Sequence, residues 1–175
     1  MTKVFGFFIP HYFSIFVFHS QFKIHNSQLK KMATIQSNYE GVLRTKAIHL
    51  QSKTVIFTDA PTDNNGKGEA FSPTDLAAAS LGSCMLTIMG IFASKNNILL
   101  ENSNATDEKI SCEITKIMSA DLPRRIVEIK IDIKFPKHLD ISPENQQKLI
   151  NTARTCPVAL SLHPDIKQTS SFLFE

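Results

Sequence analysis

Two segments in the second half of the chain alternate between apolar and polar residues, which predicts β-strands with one face buried. In the segment 126–135 the apolar and charged residues alternate strictly from Val127 onward, and the segment 109–118 follows the same pattern less regularly. Shorter stretches that mix β-branched, aromatic and polar residues lie at 36–50, 52–58 and 168–175. We expect the first of these to form a strand pair and the other two to form single strands.

A long helix is predicted to begin at Ser72. This residue supplies a capping hydroxyl, Pro73 occupies the first helical position, and Asp75 places a carboxylate three residues after the cap. The eighteen residues from Leu76 to Ala93 contain no charge. Such a run resembles a membrane span, but it is rich in Ser, Thr and Gly and lies between a loop and a strand. A helix buried on all sides at the centre of the protein is therefore favoured.

A second helix is predicted from Ser142-Pro143-Glu144, and Pro157 limits it because the residue before a proline avoids the α region. Its apolar face carries Leu149, Ala153 and Cys156. The order of elements predicts an α+β fold, in which an antiparallel sheet wraps around a long buried central helix, and not a parallel βαβ sheet.

The first 31 residues differ in composition from the rest of the chain. They contain seven of the thirteen phenylalanines and carry a charge of +4, whereas residues 32–175 carry −1. The basic charge therefore belongs to this leader and does not indicate binding to nucleic acid. We interpret 1–31 as an upstream extension before a start at Met32, or else as a targeting segment or membrane anchor. Residues 32–175 are expected to form one cytoplasmic domain that does not bind a membrane.

The three cysteines have different sequence settings. Cys112 alternates with isoleucines on a predicted strand, as expected of a small packing residue. Cys84 lies in the apolar helix, where it could be a packing residue or a nucleophile. A nucleophile must be a thiolate, and because burial opposes this charge, a reactive Cys84 would need a cation such as Arg44. Cys156 ends the second helix, where the helix dipole disfavours a thiolate, and suits a resolving role.

Other catalytic patterns are missing from the sequence. It contains no CxxC pair, no His/Cys set with zinc spacing and no complete phosphate-binding glycine motif. We therefore expect neither a metal nor a cofactor.

Two segments resemble the OsmC/Ohr family of osmotically induced and organic-hydroperoxide-resistance proteins, and more narrowly its OsmC-like branch. They are FSPTDLAAASLGSCMLTIMGIFA at 71–93 and ARTCPVALSLHPDI at 153–166. The resemblance extends from about Ile35 to the C-terminus and excludes the leader. It implies an intertwined homodimer in which β-sheets wrap two long helices and each active site lies at the subunit interface.

The resemblance also implies a thiol peroxidase that takes part in the oxidative stress response. Cys84 matches the peroxidatic cysteine, Cys156 the resolving cysteine, and Arg44 the arginine that stabilises the thiolate. The implied substrate is a small organic hydroperoxide, and a dithiol would serve as the reductant. The apolar residues Phe71, Leu81 and Met85 are expected to line the cleft.

One position departs from the pattern of the peroxidase members. These members usually carry a glutamate directly after the motif proline, paired with the arginine, whereas this chain has Thr74 there. An oriented carboxylate holds a guanidinium in place, and in this chain Glu69 and Asp75 are the candidates for that role with Arg44. The alternative function is therefore a non-catalytic OsmC-like dimer that binds a small apolar ligand.

Overall fold

Residues 33–100 and 108–175, which the computed structural model describes, form two three-stranded sheets and a long helix that packs on the second sheet. The α+β class predicted from the sequence is confirmed. The expectations for residues 1–31 lie outside the described residues.

The first sheet is antiparallel and contains β1 (Ile35–Gly41), β2 (Arg44–His49) and β3 (Val55–Asp59), in that order. These strands correspond to the pair predicted at 36–50 and the strand predicted at 52–58. Most side chains of this sheet are exposed or half-buried, but Thr58 and Asp59 at the end of β3 are buried. The sheet therefore contributes little to the hydrophobic core of a single chain.

The long helix, α1 (Pro73–Lys95), begins as predicted. Ser72 Oγ accepts a hydrogen bond from the backbone N–H of Asp75 at 3.1 Å, and the Asp75 carboxylate accepts one from the backbone N–H of Ser72 at 2.8 Å. Gly82 allows the strand that contains Ile114 to approach this helix, because a Cβ at Gly82 would lie 2.5 Å from Cδ1 of Ile114. The residues buried on this face are Ala78, Leu81, Gly82, Met85, Met89 and Ala93.

The opposite face of α1 is not covered within one chain. In the most apolar stretch of 18 residues in this helix, only 33% of the residues are buried. The single chain therefore does not bury the helix on all sides, although the sequence predicted that it would. The helix is long and apolar enough to cross a membrane, but it packs against the second sheet and against the helix at Pro143–Arg154, as the core helix of a globular domain does.

The second sheet contains β4 (Ser111–Met118), β5 (Ile126–Phe135) and β6 (Lys167–Phe174). β4 and β5 are antiparallel as predicted, but β5 and β6 are parallel. The expectation of a wholly antiparallel sheet is therefore wrong for this pair. The reason is that α2 (Pro143–Arg154) and α3 (Pro157–Ser161) lie between the two strands, and a helical crossover returns the chain in the same direction.

The core lies between α1, α2 and the inner face of the second sheet. The alternation predicted for β5 is confirmed from Ile129 onward, since its apolar residues there are buried and its charged residues are exposed. Phe135 stacks on Phe174 with ring centroids 4.1 Å apart, and Leu149 and Ala153 of α2 are fully buried. This packing holds α2 and α3 against the middle of α1.

Candidate functional site

A pair of thiols lies where α1 meets α2 and α3. Cys84 is near the middle of α1, Cys156 lies between α2 and α3, and Cys84 is close enough to help raise the pKa of the Cys156 thiol. Both are free thiols; Cys84 is half-buried and Cys156 is fully buried. The helix packing therefore brings together two cysteines that are 72 positions apart in the sequence.

Cys156 occupies a different helix position from the one predicted. α2 ends at Arg154 and Pro157 begins α3, so Cys156 is the N-cap of α3, and its Sγ accepts a hydrogen bond from the backbone N–H of Ala159 at 3.4 Å. The expectation that a helix C-terminus disfavours its thiolate is therefore wrong. Burial is the main cause that raises the pKa of Cys156, and the neighbouring Cys84 side chain raises it further, although the hydrogen bond from the Ala159 amide opposes both.

Cys112 lies on β4, close to Gly82 of α1. Burial, together with the negative charge of Asp132, raises the pKa of the Cys112 thiol. Its half-buried position against the helix agrees with the packing role predicted from the sequence.

Arg44 belongs to a second cluster, in which two carboxylates hold its guanidinium. Asp59 accepts from Nε at 2.7 Å and from Nη2 at 2.9 Å, and Glu69 accepts from Nη2 at 2.6 Å. The Asp59 side chain is 3% exposed, whereas that of Glu69 is 59% exposed. The hydrogen bonds from Arg44 lower the pKa of Asp59 and outweigh the opposing effect of burial.

Of the two carboxylates that the sequence suggested as partners of Arg44, one binds it and the other does not. Glu69 contacts the guanidinium, whereas Asp75 accepts a 2.6 Å hydrogen bond from Nζ of Lys116 instead. Thr74 accepts from the same Nζ at 2.7 Å. Sequence reasoning missed Asp59, although the hairpin register offered a signal, because Asp59 lies directly opposite Arg44 on the neighbouring strand.

Within one chain the predicted site residues therefore occupy two places. Among the described residues, the side-chain hydrogen bonds of Arg44 go to Asp59 and Glu69, and none reaches Cys84 or Cys156. In the part of the chain that the structure describes, no hydrogen bond joins the thiol pair to the arginine cluster.

Two cavities lie near the start of α1. One, of about 720 Å³, is lined by Glu69, Phe71, Asp75 and Lys116 among others, and a second, of about 650 Å³, shares Asp75 and Lys116 with it. Neither is lined by the thiol pair. Phe71 lines the first cavity, but Leu81 and Met85 are buried in the core. The expectation that these two residues line a cleft is wrong, because they lie on the face of α1 that packs inward.

The ion pair between Asp75 and Lys116 makes a testable contribution to stability. Burial opposes ionisation of Asp75, but hydrogen bonds from Lys116 and Ser72 outweigh it and lower the pKa of Asp75. In the unfolded chain an aspartate has a pKa of about 3.9. Between this pH and the lower pKa of Asp75 in the folded protein, the unfolded chain therefore binds more protons than the folded protein does. The stabilisation is complete above this value and is lost as the pH falls through the lower folded-state pKa.

We expect Asp75→Asn to reduce the free energy of unfolding most at neutral pH, and by progressively less below about pH 4. Urea unfolding of the parent and the variant across this range measures the difference. Asp63→Asn, which removes an exposed ion pair with Arg124, is the matched control and should change stability by less than about 0.5 kcal/mol. A difference for Asp75→Asn that does not vary with pH would contradict the assignment.

Comparison with known proteins agrees with the fold. The model of the family described as OsmC-like protein matches residues 66–171. A Psychrobacter arcticus 273-4 protein named for an osmotic stress induced and detoxification response is 51% identical, over 81% of this chain and 96% of that one, with a TM-score of 0.72. This chain therefore belongs to the OsmC-like protein family. No curated protein matches it.

More distant structures show the same fold. An organic hydroperoxide resistance protein OsmC from Legionella pneumophila is 15% identical, over 81% of this chain and 98% of that one, with a TM-score of 0.59. A Vibrio cholerae protein named for organic hydroperoxide resistance, with captopril bound in one of its active sites, is 13% identical over 84% of this chain and 96% of that one, also with a TM-score of 0.59.

Proposed function

We propose that this protein is a homodimeric thiol peroxidase that reduces organic hydroperoxides through Cys84 and Cys156 and needs no cofactor. The observation that carries the proposal is the pair of neighbouring free thiols where α1 meets α2 and α3, one half-buried and one fully buried. The names of the Legionella and Vibrio proteins support a hydroperoxide as the substrate. We assign this role to the domain at 32–175, acting in the cytoplasm as part of the oxidative stress response.

The reaction takes place at the two sulfur atoms. The Cys84 thiolate attacks the terminal oxygen of the hydroperoxide, the O–O bond breaks, and the alcohol leaves after taking up a proton. The sulfenic acid formed on Cys84 then condenses with the Cys156 thiol, which releases water and forms a disulfide. A dithiol reduces this disulfide and restores both thiols.

The burial of the two cysteines supports this division of roles. The half-buried Cys84 can be reached by a hydroperoxide, whereas Cys156 is fully enclosed and its raised pKa keeps it protonated until the sulfenic acid forms. Cys156 therefore reacts with its neighbour and not with the substrate, as expected of a resolving cysteine.

The exposed apolar surface supports a homodimer. The uncovered face of α1 includes Ile91, and the first sheet exposes Ile35, Val55 and Phe57, each at least 40% exposed in the single chain. Exposed apolar surface of this kind marks a protein–protein interface, and we propose that a second copy of this chain covers it. It would bring the first sheet, with Arg44, over the face of α1 that carries Cys84.

The proposal is tested by following the consumption of cumene hydroperoxide by the purified protein with a dithiol in excess. We expect many turnovers per subunit with the dithiol, and faster turnover with cumene hydroperoxide than with hydrogen peroxide. Consumption no faster than in protein-free buffer would contradict the proposal.

The non-catalytic dimer is the second candidate, because two carboxylates already hold Arg44 and, among the described residues, it makes no hydrogen bond to Cys84. A simple binder has no need of a reactive thiolate, so its Cys84 would be alkylated with a midpoint at or above that of a free thiol, about pH 8.5. A peroxidase requires a midpoint below this value.

A further inference from the structure

Arg44 and Asp59 face each other across two neighbouring strands. Their Cα atoms are register partners in β2 and β3, so the sheet itself fixes the two backbones relative to each other. One carboxylate oxygen of Asp59 accepts from Nε and the other accepts from Nη2. A two-point bond of this kind fixes the plane of a guanidinium as well as its position.

Asp59 is held in turn by the loop that leads to α1. Its backbone N–H donates to the carbonyl of Phe71 at 3.2 Å, and its Oδ2 also accepts from the backbone N–H of Glu69 at 3.0 Å. The Glu69 side chain, in contrast, is largely exposed and contacts only Nη2. Exposed ion pairs of this type contribute little free energy. The buried Asp59 is therefore the contact that fixes the position of the Arg44 guanidinium.

We propose that Asp59 is the positioning residue for Arg44 and that it holds the guanidinium in the orientation in which it stabilises the Cys84 thiolate. This inference deepens the peroxidase function proposed above and rests on it. Among the described residues, Nη1 of Arg44 has no hydrogen-bond partner, so this nitrogen is the donor that Asp59 leaves available for a thiolate or a peroxide oxygen.

Positioning and simple charge balance make opposite predictions for Asp59→Asn. Removal of the carboxylate leaves Arg44 less neutralised, and this effect alone would make a neighbouring thiol ionise at lower pH. Loss of the two-point bond lets the guanidinium leave its orientation, so that the thiol ionises at higher pH. The pH dependence of thiol reactivity therefore distinguishes a positioning role from charge compensation.

The experiment measures the rate of Cys84 alkylation by iodoacetamide against pH in the full-length protein, with the modified cysteine identified by peptide mass mapping. We expect Asp59→Asn to raise the midpoint and to lower kcat/KM for cumene hydroperoxide by up to about 100-fold. Asp63→Asn is the control and is expected to stay within about threefold of the parent, because it removes an exposed carboxylate that pairs with Arg124 and not with Arg44. A midpoint that stays constant or falls in Asp59→Asn would overturn the inference.

Two variants of Arg44 keep the outcomes distinct. If Arg44→Ala raises the midpoint and Asp59→Asn does not, the inference is wrong and the proposed role of Arg44 stands. If neither variant moves the midpoint, both are wrong. Arg44→Lys keeps the charge but cannot form the two-point bond, so it should resemble Asp59→Asn. If Arg44→Lys showed the same alkylation midpoint as the parent, the positioning role of Asp59 would be refuted. This result would count even if Asp59→Asn failed to fold.

Discussion

Replacement of Cys84 by serine should lower the rate of cumene hydroperoxide reduction by at least about a thousandfold, the scale seen when a nucleophile is removed. A serine hydroxyl does not ionise near neutral pH and cannot form the sulfenic acid from which the disulfide arises. The steady-state rate with an excess of dithiol measures the loss. Activity within tenfold of the parent would exclude Cys84 as the attacking thiol.

Two further cysteine variants show whether the loss of activity in Cys84→Ser is specific to the attacking thiol. Cys112→Ser is the matched control, because this thiol lies on β4, packs against α1 and has a raised pKa that keeps it protonated. We therefore expect the activity of this variant to stay within about threefold of the parent. Cys156→Ser should still reduce hydroperoxide once per subunit and should then accumulate a sulfenic acid on Cys84 that dimedone traps. If Cys112→Ser lost as much activity as Cys84→Ser, the assignment of roles would be wrong.

Ile91→Asp should convert the proposed dimer into a monomer and abolish most of its activity. Ile91 lies on the uncovered face of α1 and is 45% exposed in the single chain. An aspartate buried there without a partner would cost several kcal/mol at the interface. Light scattering during gel filtration measures the mass directly, and we expect the parent at twice the chain mass and the variant at the chain mass.

Leu122→Asp provides the control for this change. Leu122 is 90% exposed in the turn between β4 and β5, so a charge there should leave both the mass and the activity unchanged. A parent that is monomeric and fully active, or an Ile91→Asp variant that stays dimeric, would contradict the proposed interface.

The local features of the fold could be read from the sequence because the signals that set them are local. The cap at Ser72 and Asp75 needs only residues of one turn, and the alternation of β5 follows from burial of a single face. The direction of β6 could not be read, because strand pairing depends on where α2 and α3 return the chain. Likewise, a helix apolar on every side does not show that only one face of α1 is covered within its own chain.

The candidate site was predictable to a different degree at each residue. Cys84 and Cys156 stood out through their surrounding motifs, but spacing alone does not show that they are neighbours, since this depends on the packing of α1 against α2 and α3. The partners of Arg44 depend on hairpin register, which is why Asp59 was not foreseen. The N-cap position of Cys156 depends on where Pro157 restarts the helix.

The central claim is that Cys84 and Cys156 form one redox pair. The most direct test treats the reduced protein with a single equivalent of cumene hydroperoxide, blocks the remaining thiols, and maps the disulfides by mass spectrometry of proteolytic peptides. The account predicts a peptide pair joined through Cys84 and Cys156 in most of the protein, with Cys112 alkylated. Peptides with Cys84 and Cys156 both alkylated, or a disulfide that includes Cys112 instead, would contradict it.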